Sequence, residues 1–356
     1  MSADGIRCML MRGGTSKGAY FLADDLPGDR AERDDLLLRV LGSPDARQID
    51  GIGGGHPLTS KVAVVSASAD SGADVDYLFL QVQVDEPIVS DSQTCGNLLA
   101  GVGPFAIERG LVEARDQTTD VRIRVMNGHG GTAIAHVATP GERVEYAGDV
   151  RISGVPFAAA AVSLEFPPAS GPLLPTGHAT DVLAGLTVTC VDAGMPVVLV
   201  TADALGIAGD ETPAELEGDA ALRGRVEALR LAAGSAMGLG DVSATTVPKI
   251  SIVSPASNGG DIATRTFIPR RVHTSIGVVG AISVAAGALV PGSVGGGVLG
   301  SARTGSRVRI EHPTGFFDVE IELETNGGSP RVARSAVIRT ARKLFDGTVW
   351  PRSGAE

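Results

Sequence analysis

Apolar residues along the chain fall into short strand-like runs and longer runs that are apolar on every side, and the same order of runs occurs twice. Gly18 to Gly28 reads GAYFLADDLPG and Pro196 to Gly206 reads PVVLVTADALG, each a strand-like run ending in Ala-Asp with Leu two residues on. Charges interleaved with leucines at helical spacing then predict helices over Arg30 to Leu41 and Pro213 to Ala233, each followed by a glycine-containing loop. Apolar β-type runs follow at Val62 to Val65 and Ile250 to Val253, and a further strand spans Val75 to Val84 with Tyr77 and Phe79 alternating. Leu98 to Ile107 and Ile276 to Val290 have no polar face, which predicts helices in the middle of a domain. Short strands with turn signals, Thr325-Asn326-Gly327-Gly328 among them, fill Val121 to Val162 and Arg307 to Val349.

The repetition reaches individual residues. Leu38-Arg39, Gly42-Ser43, Ser60-Lys61-Val62 and Thr94-Cys95-Gly96 correspond to Leu229-Arg230, Gly234-Ser235, Pro248-Lys249-Ile250 and His273-Thr274-Ser275. Strands wrapped around one central buried helix, made twice, is the simplest architecture for this order: an α+β fold of two similar domains, 1–178 and 179–356, with the boundary near Pro175 to Asp181. The length of 356 residues agrees with a prior of about 150 residues per domain. A duplicated scaffold with a single helix-opening thiol suggests an active site between the two domains.

Composition narrows the function. With 43% hydrophobic residues, 4% aromatics and 48 glycines, the core is built from Val, Ile, Leu and Ala, and tight turns are many. A formal net charge of −11 argues against a nucleic-acid binder but leaves small acidic ligands open, because a few local cations and helix N-termini outweigh an average. Cys8, Cys95 and Cys190 form no CxxC, so neither a disulfide framework nor a zinc site is indicated and a reducing cytoplasm fits best. Met1 to Leu10 lacks the pattern of a signal peptide. Val272 to Ala302 has no Asp, Glu, Lys or Arg, but its Gly and Ala content and Pro291 make it a buried helix with a glycine loop rather than a membrane span.

Candidate chemistry gathers at the starts of the buried helices. A cysteine in the first turn of a helix faces unpaired N–H groups and the positive end of the dipole, which favours the thiolate, and Cys95 stands at such a position with Gly96 and Asn97 behind it. Cys8 and Cys190 lie within apolar runs and read as core. Lys61 leads into a buried strand, where a partly desolvated amine serves as an acid or base, and Lys249 matches it. Met11 to Gly18, with Thr15, Ser16 and Lys17, offers N–H groups, hydroxyls and cations suited to a carboxylate. It is no P-loop, and GIGGG at Gly51 to Gly55 fails the GxGxxG pattern because position 56 is His56. The six histidines show no metal-ligand spacing; His129, His136 and His312 stay unassigned.

Together MRGGTSKGAYFL (Met11 to Leu22), GSPDARQIDGIGG (Gly42 to Gly54), LTSKVAVV (Leu58 to Val65), CGNLLAGVGPFAIERG (Cys95 to Gly110) and HTSIGVVGA (His273 to Ala281) resemble the PrpF-type isomerase family over nearly the whole chain. VDYLFLQV, LLPTG, GMPVVL, LGDVS, TFIP and ARKLFDG extend the likeness to the 4-oxalomesaconate tautomerases and isomerases of bacterial gallate and protocatechuate breakdown. The resemblance implies a diaminopimelate-epimerase-like fold with its active site in the cleft, no cofactor, and Lys61 and Cys95 moving a proton at carbon activated by carbonyl and carboxylate groups. Diaminopimelate epimerases use a second thiol where this chain has Thr274 and Ser275, so amino-acid epimerisation is disfavoured. Thr15, Ser16, Lys17, Ser60, Gly96, Asn97, Lys249, Arg265, His273, Thr274 and Ser275 are the expected substrate-binding residues. His178, Ala193 and Gly128-His129-Gly130 after Asn127 depart from the family pattern.

The expectation is thus a cofactor-free isomerase of an unsaturated tricarboxylate such as 4-oxalomesaconate, with a small-molecule partner, no nucleic acid, no membrane, and homo-oligomerisation left open. The alternatives are a 2-methylaconitate cis-trans isomerase and a non-catalytic carboxylate-binding protein.

Overall fold

The structure is a computed structural model that describes residues 5–92, 94–127, 131–169, 171–243, 245–268, 271–300, 305–326 and 328–354. The chain divides into two compact units, Met1–Glu165 joined by Ile338–Glu356, and Phe166–Val337.

The first unit contains β1 (Ile6–Gly13), β2 (Ser16–Leu22), α1 (Arg30–Leu41), β3 (Lys61–Ala67), β4 (Val75–Val82), β5 (Val89–Ser90), α2 (Gly96–Glu108), β6 (Gln117–Val125), β7 (Gly131–Thr139) and β8 (Ala161–Phe166). The sheet runs β1-β2-β3-β4-β6-β7-β8, with β2–β3 and β4–β6 parallel and the other neighbours antiparallel. The last strand of the chain, β16 (Ser329–Val349), lies beside β8 and pairs with β1 from Ile6↔Val349 to Gly13↔Ala341, so the strand order returns to its start around α2. That helix can be enclosed because Leu98 to Ala106 carry nothing that needs water, and all nine are buried. Gly101 is required there: a Cβ would lie 2.4 Å from the Tyr20 hydroxyl oxygen. The outer face of the sheet packs on α1 through Phe21, Leu37, Leu41, Val62, Val64 and Leu80. Asp29 caps α1 by accepting from the Ala31 and Glu32 N–H groups, and Gly42 ends it at φ 82°.

The second unit repeats this plan with β9 (Asp181–Leu183), β10 (Leu186–Asp192), β11 (Pro196–Thr201), α3 (Pro213–Gly218), α4 (Ala220–Ala236), β12 (Lys249–Ser254), β13 (Ile262–Phe267), α5 (Val278–Leu289), β14 (Arg307–His312), β15 (Gly315–Asn326) and the first part of β16. The sheet order is β9-β10-β11-β12-β13-β14-β15-β16. α5 packs on β10, β11, β14 and β15, while α4 covers the other face. The repetition is realised strand by strand: Gly18 pairs in parallel with Lys61, and Val197 pairs in parallel with Lys249.

Four details differ from the sequence expectations. Pro213 to Ala233 is two helices, because Asp219 ends α3 and caps α4 through the Leu222 N–H. Cys95 is itself the N-cap of α2, whereas α5 is capped by Gly277, so His273, Thr274 and Ser275 precede that helix instead of opening it. The C-terminal strands are long, 12 residues in β15 and 21 in β16. The units therefore differ from 1–178 and 179–356: division falls at Glu165/Phe166, and Ile338–Glu356 returns to the first unit because β16 continues from pairing with β15 into pairing with β1. The Gly128 to Gly130 departure and Gly327 of the expected turn lie outside the described residues. Among the described residues no helix is long and apolar enough to cross a membrane.

Candidate active site

Antiparallel pairing of β3 with β4 puts Lys61 opposite Gln81, Ala63 opposite Phe79 and Val65 opposite Tyr77. Directly paired residues share a face, and Tyr77 shows that it is the α2 face, since its hydroxyl donates to the Cys95 carbonyl at 3.2 Å. Lys61 is buried; its Nζ donates to Gln81 Oε1 at 2.8 Å and stands 4.8 Å from the centre of the Phe79 ring. The orientation of Gln81 is determined by its other end: Nε2 donates to the carbonyls of Pro57 (3.1 Å), Ser60 (3.0 Å) and Val82 (3.3 Å), which leaves Oε1 for the lysine. Phe79 is held by Asn127, whose Oδ1 accepts from the Phe79 N–H and whose Nδ2 donates to the Phe79 carbonyl, both at 2.8 Å. Lys61 is thus seated against a neutral amide and a ring face, without a carboxylate partner among the described residues.

Cys95 is buried at the start of α2, and its side chain caps no N–H of the helix. Tyr20, on β2, donates its hydroxyl to the Leu98 carbonyl at 2.6 Å. Burial, and then the nearness of Cys95, push the Tyr20 and Tyr77 hydroxyls well above the usual tyrosine range, so both remain neutral donors. The turn between β1 and β2 lies on the first residues of this helix. A Cβ on Gly13 would come within 2.4 Å of the Asn97 carbonyl oxygen, and one on Gly14, at φ +51°, within 2.2 Å of Asn97 Oδ1. The Thr15 N–H reaches Asn97 Oδ1 at 3.4 Å. Ser16 is buried, and its hydroxyl has no hydrogen-bond partner among the described residues.

The structure therefore gathers Thr15, Ser16, Gly96 and Asn97 at the start of α2, where Cys95 stands, and places Lys61 on the sheet face that this helix covers. Two other expected residues are differently employed. Ser60 donates to Gln48 Oε1 at 2.6 Å and to the His56 carbonyl at 3.0 Å, binding the loop ahead of β3 to itself. Lys17 alternates with Ser16 along β2 and shares the opposite face with Arg12, its partner in the β1–β2 register.

In the second unit, the Lys249 Nζ donates to the Thr246 carbonyl at 2.5 Å, and burial followed by the Arg230 charge holds its ammonium below the usual lysine range. Arg230 is itself buried and organises the segment leading to Lys249 through the carbonyls of Val242 (2.8 Å) and Val247 (3.0 Å), its charge met by Glu227 at 2.8 Å. His273 is shifted below 6.5 by burial and then by Lys249, and its Nδ1 accepts the Ser275 N–H at 2.9 Å. The Ser275 hydroxyl lies 3.2 Å from His312 Nε2, and the Thr274 carbonyl accepts from Thr314 Oγ1 at 2.9 Å. Lys249, His273, Thr274 and Ser275 thus form one polar group. Arg265 is outside it: Ser251 and Thr266 share one face of β12–β13, whereas Arg265, paired with Ile252, is on the other and donates to the Glu211 carbonyl at 2.6 Å.

Cys8 and Cys190 belong to the cores under α1 and α4, and burial pushes both thiols up to about 12. Among the described residues no cluster of His, Cys, Asp or Glu is able to hold a metal ion. Sequence reasoning did not single out Gln81, Arg230 or Tyr20 as parts of the site. For Gln81 a signal existed, a lone amide near the end of the apolar run VDYLFLQV, but its partner is 20 residues away.

Residues 4–351 match the PrpF protein family. The chain is 55% identical over 350 residues to a 4-oxalomesaconate tautomerase of Pseudomonas putida, covering 97% of this chain and 95% of the relative. It is 53% identical over 355 residues to a (4E)-oxalomesaconate Delta-isomerase of Novosphingobium sp., with 98% of each covered. The crystal structure of a methylitaconate-delta-isomerase superposes with a TM-score of 0.87 at 32% identity, over 100% of this chain and 98% of that one. A hydroxyproline epimerase from Agrobacterium vitis, at 16% identity and a TM-score of 0.52, shares the fold, which is the diaminopimelate-epimerase-like one. With its buried lysine and helix-opening cysteine in that fold, the chain belongs to the PrpF family and is an isomerase.

Proposed function

We propose that this isomerase acts on an unsaturated tricarboxylate, 4-oxalomesaconate, in the breakdown of gallate or protocatechuate, with Lys61 and Cys95 as its acid–base pair. The names of the two relatives above 50% identity support the substrate. The observation that carries the chemistry is the setting of Lys61, a buried amine held by a neutral amide and a ring face on the sheet side that α2 covers. A lysine so placed is oriented but not neutralised by an acid, the condition for exchanging a proton at carbon. Cys95 stands at the N-cap of α2, beside the positive end of that helix's dipole, without capping an N–H itself. One residue of the pair removes a proton from a carbon acidified by its neighbouring carbonyl and carboxylate groups, and the other returns a proton to the far end of the delocalised system, shifting the double bond. The unpartnered Ser16 hydroxyl, Thr15, the Asn97 amide and the N–H groups from Gly96 onward are proposed carboxylate donors. In the second unit Lys249, His273, Thr274 and Ser275 offer a further set of the same kind.

The test is an ultraviolet absorbance assay on 4-oxalomesaconate and on 2-methylaconitate, with the wild type, Lys61→Ala and Cys95→Ser. Turnover of 4-oxalomesaconate that falls by about 10²- to 10⁴-fold in each folded variant is expected. Wild-type rates in both variants would overturn the pair; turnover of 2-methylaconitate alone would overturn the substrate. Tight tricarboxylate binding without turnover of either would favour a binding protein.

A further inference from the structure

Three cations stand side by side on the outer face of the first unit's sheet. β1 pairs Arg12 with Lys17 of β2 on one side and with Arg342 of β16 on the other, so the three occupy one row across three adjacent strands. Strands lie about 4.8 Å apart, and the row therefore spans about 10 Å. The same three side chains line a cavity of about 530 Å³ together with apolar residues, Pro156, Phe157 and Leu344 among them; Phe157 is 70% exposed and Leu344 47%. Every residue of this cavity belongs to the first unit.

The charges are not balanced by the protein. Arg12 is half-buried, and its Nη1 donates to the Gly14 carbonyl (2.9 Å) and to the carbonyl and hydroxyl of Thr340 (3.0 Å each), all neutral acceptors. None of the three cations has a carboxylate partner among the described residues, although the chain carries 41 acidic residues against 30 basic ones. Some arginines on this unit do have carboxylate partners: Arg122 with Asp74 at 2.7 Å, Arg124 with Asp76 at 2.6 Å, and Arg109 with Asp346 at 2.7 Å. Like charges directly opposite one another on neighbouring strands destabilise a sheet. Burial first, and the Arg342 charge second, lower the Arg12 pKa from its usual value.

We propose that this row is a second anion site, distinct from the helix-start site, and that it takes a small organic polycarboxylate with an apolar body. A row about 10 Å long is matched by two or three carboxylates spread along a carbon frame better than by a single compact phosphate, and the apolar Phe157 and Leu344 of the cavity lining accommodate that frame. The inference does not depend on the reaction assigned above.

The experiment counts citrate bound per chain by calorimetric titration of the full-length protein, beside inorganic phosphate, for wild type, Arg342→Glu and Arg342→Lys. Arg342 is exposed, so both variants are expected to fold, and circular dichroism verifies it. One equivalent of citrate fewer in Arg342→Glu than in wild type, recovery in Arg342→Lys, and phosphate at least tenfold weaker at that site are the expected results. Equal citrate stoichiometry and affinity in wild type and Arg342→Glu would overturn the site; phosphate binding as tight as citrate would overturn the ligand class. Turnover at low anion concentration is unchanged by Arg342→Glu if the two sites are separate, and its loss would show that they are one.

Discussion

At the scale of residues, the decisive feature is that Lys61 meets an amide and not an acid. Gln81 cannot turn its Nε2 toward the lysine without abandoning three carbonyls, so the acceptor it presents is neutral by construction. In Gln81→Glu a carboxylate would hold the proton on Lys61. If the lysine must release that proton to act as a base, the ascending limb of the pH–rate profile moves to higher pH and the rate near neutrality falls; an unmoved limb in a folded variant would count against Lys61 as the base. His273 carries a separate pH signature. Burial, and then the Lys249 charge, shift its imidazole below 6.5 in the fold. As pH falls below 6.5 the unfolded chain takes up a proton that the folded chain does not, so stability is lost on that side. Denaturant unfolding between pH 7 and pH 5 is expected to show this loss, and His273→Gln to diminish it. The position of Cys95 at a helix start is legible in the sequence because it opens an apolar run, and the expectation that Cys8 and Cys190 are core residues agrees with their place in the cores. The amide behind Lys61 was not legible, since nothing local connects positions 61 and 81.

Among the elements, local signals served where a helix or strand is decided by its own residues. Arg30–Leu41 forms over the span its leucine spacing predicts because Asp29 caps one end and Gly42 ends the other. Asp29→Ala removes acceptors from two N–H groups and is expected to cost about 1 kcal/mol in thermal or denaturant unfolding; a neutral result would show that packing under Leu37 and Leu41 alone holds α1. In the second copy one predicted helix is two in the structure, because Asp219 ends one helix and caps the next, a break that apolar periodicity does not mark. The start of α5 at Gly277 has a similar origin: polar residues ahead of an apolar run mark the region of a cap and not its residue.

For the whole molecule, the long last strand is what departs most from a chain of two consecutive copies. Ala341–Val349 pair with β1, Thr340 receives Arg12, and Asp346 receives Arg109, all within the first unit. A chain ending at Val337 would leave β1 with an unpaired edge, Arg12 without Thr340 and Arg109 without Asp346. Limited proteolysis of that truncated chain is expected to digest residues 5–165 at least tenfold faster than in the full chain; equal resistance would show that the first unit is complete without its returning strand.

What the sequence by itself determined is the repeated order of strands and buried helices, the lysine that opens a strand in each copy, and the single helix-opening cysteine. These follow from periodicity and from residue types at an element's own ends, which neighbours in the chain specify. Only the tertiary structure decided which side chain faces which: that Gln81 and Phe79 seat Lys61, that Asn97 lies under the Gly13-Gly14 turn, that Lys17 and Arg265 are on the far faces of their sheets, and that the C-terminal strand belongs to the first unit. Those are matters of register between strands distant in sequence. A shift of one residue in register exchanges the faces, and no local pattern records it.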